Sequence, residues 1–396
     1  MRRPRATISD VAREAGVSVG TVSNYLNGTA NVRVQTKSRI DAAIRRLAYR
    51  PSTFARALST SSSAHVRMDR SRLPRLIVVG YTSVDYMCRV DVLPHRDDRV
   101  TAHQIKKALG GPAANLAVAA AGIGANGSFG LDVELATALG TDPDSEWAIV
   151  ELANKGVHAV AIRTPANDRL SRCIVFIEPN GSRTIVNEPF ELSEMDLTGH
   201  FDLTKSDRVS CLHIEGYHLD RMRGSIGRFK DAGFKVTLHS AGLPESARTP
   251  TEFLNLLEQL DIAFVGDGVL REIFDIHLSG QDLTDAVDIR LARLEKRGTL
   301  VMTGGAAGAV VFPAGGRAPI SVAALPVRPT DATGAGDSFA GSFLAYYLNG
   351  TDLGEAAQYA AASASLTVAA EGAQGHVATH EELVEALKEQ KLKQAS

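Results

Sequence analysis

The chain has 396 residues, which at about 150 residues per domain predicts two or three domains and excludes a single small binding module. Hydrophobic residues at 44% and charged residues at 22% are close to the averages of globular proteins, so a largely disordered chain and a collagen-like chain are excluded. The net charge of −2 combines +8 in residues 1–60 with −10 in the remainder, which predicts a basic segment that binds a polyanion, most often nucleic acid.

Residues 1–60 have the apolar periodicity of a small three-helix domain. The first helix carries apolar residues at i, i+3, i+4 and i+7, namely Ile8, Val11, Ala12 and Ala15, between a Thr7 cap and a stop at Gly16. Ser18 caps a second short helix, which Asn27-Gly28 ends. A third helix, capped near Thr36, has the apolar face Ile40, Ala43, Ile44 and Leu47. Two short helices joined by a turn of about three residues predict a helix-turn-helix.

The stretch ATISDVAREAGVSVGTVSNYLNG, followed by VRVQTKSRIDAAIRRLAYRPSTFARAL, resembles the LacI-type DNA-binding headpiece over residues 6–58. The resemblance implies a recognition helix in the major groove that begins at Ser18, reads bases with Val19, Gly20 and Asn24, and contacts phosphates with Thr21 and Ser23. Because Val19 offers only apolar contact and Gly20 has no side chain, we expect little direct base readout. Such headpieces act in pairs, so the resemblance implies a homodimer on a pseudo-palindromic operator.

Residues 54–58 resemble the hinge helix of the same family, which orders on DNA and inserts a leucine into the minor groove. Leu58 is the residue at this position, and the alternative is that Leu58 packs on the headpiece or on the next domain. Residues 61–75 are rich in Ser and Arg and predict an exposed linker. A LacI-type repressor continues into a sensor of the periplasmic-binding-protein type, whereas this chain continues differently.

Residues 76–390 alternate short apolar strands with helices, which predicts an α/β fold with a doubly wound, mostly parallel sheet. The predicted strands are 76–80, 209–214, 235–239, 262–265 and 299–303, and the predicted helices include 113–123, 252–259 and 338–348. Ligands bind at the carboxyl ends of such strands. Residues 89–108 and 172–186 break the alternation and predict a small β lid. Residues 391–396 are predicted to be a tail.

Cys88, Cys173 and Cys211 lie far apart in the sequence and form no CxxC pair. They therefore predict neither a disulfide framework nor a zinc site, and we interpret them as buried reduced thiols. No stretch approaches 18 uninterrupted apolar residues. We therefore expect a cytoplasmic protein that has no membrane partner.

Two glycine-rich segments carry the candidate chemistry. Residues 110–115 read GGPAAN and open a helix, where the glycines let a ligand approach the backbone and Asn115 offers donors and acceptors. Residues 331–337 read DATGAGD and precede a helix, so that unpaired N–H groups and the positive end of the helix dipole can stabilise a phosphoryl group. Asp337 at this place indicates a proton acceptor. The alternative, an acidic helix cap, explains one acid but not both acids flanking TGAG.

The order of GGPAAN and DATGAGDSFAGSF resembles the ribokinase-like PfkB carbohydrate kinases over residues 76–390. The resemblance implies ATP as the phosphoryl donor, Asp337 as the general base and an anion hole formed by the N–H groups of Gly334, Ala335 and Gly336. The positions that it implies for sugar binding are Asp85, Gly110, Gly111, Asn115 and Asp331. Those that it implies for the nucleotide are Thr303, Gly305 and Gly308. It also implies a monovalent cation such as K⁺ at Asp331 and Thr333.

The sequence departs from the family pattern at two places. The usual Asn-x-x-Glu motif, which organises Mg²⁺ through water, is replaced by Gly-Asp-Gly-Val at 266–269, so that only Asp267 can take its place. Ser83 stands where ribokinase has asparagine, and GGPAAN together with Arg183 favours a hexose or ketose over ribose. We therefore expect a sugar-responsive transcriptional regulator whose C-terminal domain is an ATP-dependent sugar kinase. The alternative is a non-catalytic kinase-fold sugar sensor: the altered motif favours the sensor, and the intact Asp337 favours the kinase.

Overall fold

The computed structural model describes residues 14–17, 34–46, 70–125, 127–162, 169–179, 182–188, 200–204, 207–294 and 296–395. The chain divides into two units, one of residues 1–68 with 146–154 and the other of residues 69–145 with 155–396. Among the described residues, no helix has both the length and the apolar character that a membrane crossing requires.

In the first unit, helix α1 spans Val34–Arg46 and buries Ile40 and Ala43, as the apolar spacing predicts. The cap was predicted near Thr36; the helix begins two residues earlier, at Val34, so that Thr36 lies in its first turn. Gly16 has a φ of 61° and follows the helical residues 14–15, which agrees with its predicted role as a stop. The predicted DNA-contacting residues lie outside the described residues: Ser18, Val19, Gly20, Thr21, Ser23, Asn24 and Leu58.

The second unit is built around two sheets. The strands are β1 (Arg75–Val79), β2 (Ser83–Arg89), β3 (Gln104–Gly110), β4 (Asp132–Ala138), β5 (Val157–Ile162), β6 (Ser171–Ile177), β7 (Arg183–Asn187), β8 (Ser210–Glu215), β9 (Lys235–His239), β10 (Ile262–Gly266), β11 (Thr299–Thr303), β12 (Ala309–Phe312) and β13 (Ile320–Val322). The helices after α1 are α2 (Pro112–Ile123), α3 (Pro143–Asn154), α4 (Leu219–Asp231), α5 (Pro250–Gln259), α6 (Asp267–Phe274), α7 (Gly280–Leu291), α8 (Ala335–Leu348), α9 (Leu353–Val368) and α10 (His380–Ala395), and residues 146–154 of α3 are grouped with the first unit.

The larger sheet has the strand order β13-β12-β11-β10-β9-β8-β1-β4-β5 in the described part of the chain. Its strands pair in parallel from β5 to β11, and only β12 and β13 pair antiparallel. The central strands β1 and β8 are almost entirely buried, as expected for a parallel sheet covered on both faces. The predicted mostly parallel α/β fold is therefore confirmed, and Cys88, Cys173 and Cys211 are buried free thiols as predicted.

The smaller sheet has the order β3-β2-β6-β7 and corresponds to the predicted lid. Its first strand is β2, which follows β1 after only three residues, so the prediction that the lid begins at Arg89 is wrong. Residues 90–103 contain no strand. Of the predicted turn at Pro179, residues 180 and 181 lie outside the described residues.

Two further boundaries differ from the predictions. Helix α8 begins at Ala335 rather than Ser338, so the glycine-rich segment supplies its first residues instead of preceding it. Helix α10 continues to Ala395, so the predicted tail of residues 391–396 begins inside a helix. Glutamate, lysine, leucine and alanine dominate α10, and these are strong helix formers that favour continuation of the helix to this point.

Candidate active site

The candidate base, Asp337, is held by the start of helix α2. Helix α8 packs directly against α2, because Gly341 has no side chain: a Cβ there would collide with the carbonyl oxygen of Leu116. This close approach lets Asn115 Nδ2 donate to Asp337 Oδ2 at 2.9 Å. Gln374 Nε2 in turn donates to Asn115 Oδ1 at 2.9 Å, which fixes the amide of Asn115. The structure thus brings together the two glycine-rich segments that the sequence singles out.

Asp337 is 7% exposed and is the third residue of α8. Burial raises the pKa of its carboxyl, while the nearby His239 and the hydrogen bond from Asn115 oppose this rise. His239 Nδ1 lies 3.6 Å from Asp337 Oδ1. A buried carboxylate with a raised pKa is a stronger base than an exposed one, and such groups are typical of catalytic sites.

The turn before Asp337 has the shape of an anion cradle. Gly334 is the N-cap of α8 with a φ of 76°, and a Cβ at this position would lie against Ala373. Only glycine adopts this left-handed conformation without strain. The N–H of Ala335 makes a long hydrogen bond of 3.4 Å to the carbonyl oxygen of Ala332, and the N–H of Gly336 follows it in the first helical turn, where an α-helix supplies no acceptor. These N–H groups and the helix dipole favour an anionic ligand at this point.

A second polar group lies on lid strand β2. Asp85 Oδ1 accepts a hydrogen bond from Ser83 Oγ at 2.7 Å, and burial raises the pKa of the Asp85 carboxyl. A Cβ at Gly110 would collide with this carboxylate, because β3 pairs with β2 here. Gly111 follows with a φ of 96° and lies against the carbonyl oxygen of Tyr81. Asp85 therefore lies beside the GGPAAN segment.

Glu215, which ends strand β8, is not among the residues predicted from the sequence. Its Oε2 accepts hydrogen bonds from the N–H groups of Tyr81, at 2.8 Å, and Ala113, at 3.1 Å. Its Oε1 is buried and has no hydrogen-bond partner among the described residues. Burial, and secondarily the charge of Asp337, raises the pKa of Glu215 to about 8. An acid at the carboxyl end of a fully buried strand was the signal that could have found it.

The predicted nucleotide residues share one turn. Thr303 ends β11, and the N–H of Gly304 donates to the carbonyl oxygen of Gly308 at 2.8 Å, which closes the turn before β12. Gly308 has a φ of 86°, and a Cβ there would collide with the carbonyl oxygen of Val322. Gly305, with a φ of 59°, lies in the exposed part of this turn. The turn is therefore a surface of glycine and alanine at the same edge of the sheet as the ends of β9 and β10.

Residues 73–380, more than three quarters of the chain, match the family model of the pfkB family carbohydrate kinases. The chain belongs to this family. Residues 7–52 match the model of the bacterial regulatory proteins of the lacI family. The chain thus joins a LacI-type helix-turn-helix segment to a pfkB kinase unit, and both resemblances inferred from the sequence are confirmed.

Some similar proteins match only the N-terminal helix-turn-helix segment, and others match the kinase unit. Catabolite control protein A of Staphylococcus aureus is 48% identical over 60 residues, which cover 15% of this chain and 18% of that protein, so the chain spans under a fifth of this regulator's length. The ATP-dependent ribose-1-phosphate kinase of Halopiger xanaduensis is 25% identical over 306 residues, which cover 76% of this chain and 93% of that enzyme.

Solved structures share the fold of the kinase unit. Ribokinase from Thermotoga maritima has a TM-score of 0.63 at 21% identity, and it covers 80% of this chain and 99% of its own. Arabidopsis thaliana ribokinase complexed with ribose and ATP has a TM-score of 0.62 at 22% identity, with coverages of 80% and 99%. Phosphofructokinase-2 from Escherichia coli, in complex with potassium, has a TM-score of 0.65 at 16% identity, with coverages of 81% and 99%.

The predicted monovalent-cation residues of the pfkB unit are engaged by other groups. Asp331 Oδ1 accepts from the N–H of Thr333 at 2.8 Å, and Oδ2 accepts from the N–H of Gly372 at 2.7 Å. The guanidinium of Arg183, on lid strand β7, also pairs with Oδ2. A cation at Asp331 would therefore compete with Arg183, so the arrangement does not fit K⁺ as it stands. Arg183 instead ties the lid to the segment before α8.

The predicted magnesium residue, Asp267, begins helix α6. Its Oδ2 pairs with the guanidinium of Arg271 at 2.5 Å, and its Oδ1 accepts from the N–H of Gly268 at 2.7 Å. Because Arg271 already neutralises this carboxylate, the residues present do not fit a Mg²⁺ ligand unless the ion pair opens. Across the described ranges, no cluster of three His, Cys, Asp or Glu side chains forms a metal site.

Proposed function

We propose that the chain is a sugar-responsive transcriptional regulator whose pfkB unit is an ATP-dependent sugar kinase. The observation that carries the kinase assignment is the buried Asp337, held by Asn115 at 2.9 Å directly after the glycine cradle. A kinase needs a base beside the transferred phosphoryl group and N–H donors around it, and this arrangement supplies both.

The reaction follows from these positions. Asp337 accepts the proton of a sugar hydroxyl while the hydroxyl oxygen bonds to the γ-phosphorus of ATP and the bond to the β,γ-bridging oxygen breaks. The N–H groups of Gly334, Ala335 and Gly336 stabilise the charge on the phosphoryl oxygens. Asp85 and Asn115 position the sugar, and the turn at 303–308 receives the nucleotide. Burial of Asp337 keeps bulk water from competing with the sugar hydroxyl.

Two relatives support these ligands. The similar enzyme from Halopiger xanaduensis is an ATP-dependent kinase of a phosphorylated sugar, and the similar ribokinase of Arabidopsis thaliana is complexed with ribose and ATP. We propose ATP as the donor, supplied with Mg²⁺ in solution, and a free sugar as the acceptor, with hexoses and ketoses tested first.

The test is a coupled kinase assay across hexoses and pentoses with ATP and magnesium. Asp337→Asn should lower kcat by about 100- to 10,000-fold, the usual contribution of general-base catalysis, while sugar binding by calorimetry persists. Asp282→Asn, an exposed change in the first turn of α7, serves as the matched control. Equal turnover in wild type and Asp337→Asn would remove Asp337 from the mechanism.

A second candidate function is a non-catalytic sugar sensor built on the kinase fold. The observation that favours it is the Gly-Asp-Gly-Val sequence at 266–269, where Asp267 is neutralised by Arg271 instead of facing a metal. The same assay separates the two. Saturable sugar binding without turnover for any sugar in the panel would establish the sensor and exclude the kinase.

The lacI-family match over residues 7–52 supports DNA binding by the basic segment. We propose that a homodimer binds a pseudo-palindromic operator, with residues Ser18 to Asn24 in the major groove and Leu58 in the minor groove. Deleting residues 1–60 should abolish binding, and Asn24→Ala should cost about 1 to 3 kcal/mol at the cognate site only. A truncated chain that still binds the operator would refute this placement.

Regulation requires that sugar and operator influence each other. Saturating sugar should change operator affinity by about 5- to 150-fold, and operator should change sugar affinity by the same factor, because linkage is reciprocal. Asp85→Ala, which removes the proposed sugar ligand, should abolish the effect of sugar on operator binding. Operator affinity that does not move at saturating sugar would show that the two parts share a chain without communicating.

A further inference from the structure

His239 lies across the first turn of helix α8. It ends strand β9, and its side chain is 14% exposed. Its Nδ1 is 3.6 Å from Asp337 Oδ1, and a Cβ built on Gly336 would lie 3.6 Å from its Nε2. The two ring nitrogens of His239 thus lie close to the proposed base, Asp337, and to Gly336 of the anion cradle. The roles proposed above for sugar, nucleotide and phosphate binding do not include one for His239.

The elements packed against His239 define its charge environment. On β8, Glu215 is its register partner, and His213 lies with its ring centre 6.4 Å from that of His239. His213 Nδ1 is paired with Thr237 Oγ1 at 2.9 Å, so that ring is already held within the sheet. On β10 the register partner is the apolar Phe264. The titratable groups of the neighbouring elements are therefore Glu215 and His213 on β8 and Asp337 on α8.

We propose that His239 is a positioning residue for the base, donating its Nδ1–H to Asp337 Oδ1 while Asn115 donates to Oδ2. The separation of 3.6 Å shortens to hydrogen-bond length in the substrate complex, as catalytic hydrogen bonds commonly do. Two donors on opposite oxygens fix the rotation of the carboxylate. This role rests on the proposed kinase function, because it concerns how Asp337 faces the sugar hydroxyl.

The carboxylate retains capacity for its reaction. Two carboxylate oxygens offer about four lone-pair sites, so donors from His239 and Asn115 leave acceptor positions for the sugar proton. The sugar hydroxyl proton passes to Asp337 as the new oxygen–phosphorus bond forms, and His239 keeps its own proton throughout. Burial lowers the pKa of His239 and the charge of Asp337 opposes this, so the side chain donates as a neutral imidazole.

Substitution of His239 by asparagine or glutamine tests which of its two ring nitrogens is required. The side-chain amide of asparagine reaches the place of Nδ1, and that of glutamine reaches the place of Nε2. His239→Asn should keep kcat within about threefold of wild type, whereas His239→Gln and His239→Ala should lower kcat by about 10- to 100-fold through misplacement of the base. The KM for sugar should change little in all three. His277→Gln, at a histidine with a 92% exposed side chain, is the control.

The dependence of kcat on pH should change if His239 hydrogen-bonds to Asp337, and it should not change if His239 has only a structural role. A hydrogen bond to the ionised carboxylate lowers the pKa of Asp337. Loss of the donor in His239→Ala should therefore shift the acid limb of the plot of kcat against pH to higher pH by about one unit. His239→Asn should leave this limb in place. Wild-type profiles in His239→Ala, or a glutamine variant more active than the asparagine variant, would overturn the proposal.

A measurement without turnover distinguishes failure of this proposal from failure of the kinase assignment. Histidine-labelled full-length protein is titrated by NMR in wild type and in Asp337→Asn, with the His239 signal assigned by its loss in His239→Asn. The pKa of His239 should fall when the carboxylate is removed. An unchanged pKa would refute the pairing. A lowered pKa in a protein that phosphorylates no sugar would uphold the pairing while the kinase function fails.

Discussion

Glu215→Gln should make the fold more stable at alkaline pH. The buried carboxyl accepts N–H groups from Tyr81 and Ala113 on Oε2, while Oε1 has no hydrogen-bond partner among the described residues. The glutamine carbonyl can keep both hydrogen bonds, because it takes the place of Oε2. Its amide group occupies the place of Oε1 and carries no charge, so the variant loses the pH-dependent penalty of burying an ionised group. The cost of burying amide N–H groups there without an acceptor does not depend on pH, so the test uses the change with pH rather than the absolute difference.

The size of the effect follows from the raised pKa. The folded state favours the neutral carboxyl, so the stability that Glu215 contributes is fully present below its usual pKa of 4.5 and is lost as pH rises through about 8. One pKa unit corresponds to about 1.4 kcal/mol, so wild type should lose about 3 kcal/mol relative to Glu215→Gln between pH 5 and pH 8. Asp85 titrates in both proteins, so its contribution cancels from the difference. The charge of Asp337 does not cancel, because it is one cause of the raised pKa of Glu215, and it belongs to the measured effect.

The assay is urea denaturation of both proteins at several pH values from 5 to 8, followed by far-ultraviolet circular dichroism. Glu245→Gln, at an exposed position in a short 3₁₀ turn, is the matched control and should run parallel to wild type. A difference between wild type and Glu215→Gln that stays flat across this range would refute the reasoning, because it would mean that Glu215 is ionised in the folded state without cost.

Two further predictions concern the scaffold of the site. Gly341→Ala should destabilise the kinase unit by about 1 to 3 kcal/mol and lower kcat, since its Cβ would press on Leu116 and move Asp337 away from α2; denaturation midpoints together with turnover test this. Asp352→Ala should cost about 1 kcal/mol without touching turnover, because Asp352 accepts two N–H groups as the N-cap of α9; an equally lowered kcat would contradict it.

Much of the fold was predictable because the parallel strands are short, apolar and buried on both faces. The predicted ranges 235–239 and 299–303 coincide with β9 and β11. The lid was placed less well: β2 carries Asp85 and has no regular alternation of polar and apolar residues, and only three residues separate it from β1, too few to signal a change of sheet. The start of α8 was missed because glycines are poor helix formers, and here the first turn serves as a cradle.

The candidate site was predictable where function resides in a local segment. Asp337 and Asn115 stand in glycine-rich segments whose spacing is visible in the sequence, and the structure joins them. Glu215 and His239 were not predictable in this way. Each is one polar residue at the end of a strand that carries other polar residues, and its relation to Asp337 depends on the pairing of β8 with β9, which only the folded sheet reveals.

The burial of carboxylates around the cradle bears on the choice between kinase and sensor. Burial raises the pKa of Asp337 and of Glu215, so each ionised carboxylate lowers the stability of the fold. Recognition of sugar hydroxyls explains an acid such as Asp85 in either function. Recognition of a sugar alone gives no reason to place Asp337 beside N–H groups that favour phosphate, because an ionised carboxylate repels a phosphate. The repulsion falls once Asp337 has accepted the proton of the sugar hydroxyl and is neutral. A role for Asp337 in taking the proton of the sugar hydroxyl gives a reason for the cost of burying it at this point, and this supports the kinase that we propose rather than the sensor.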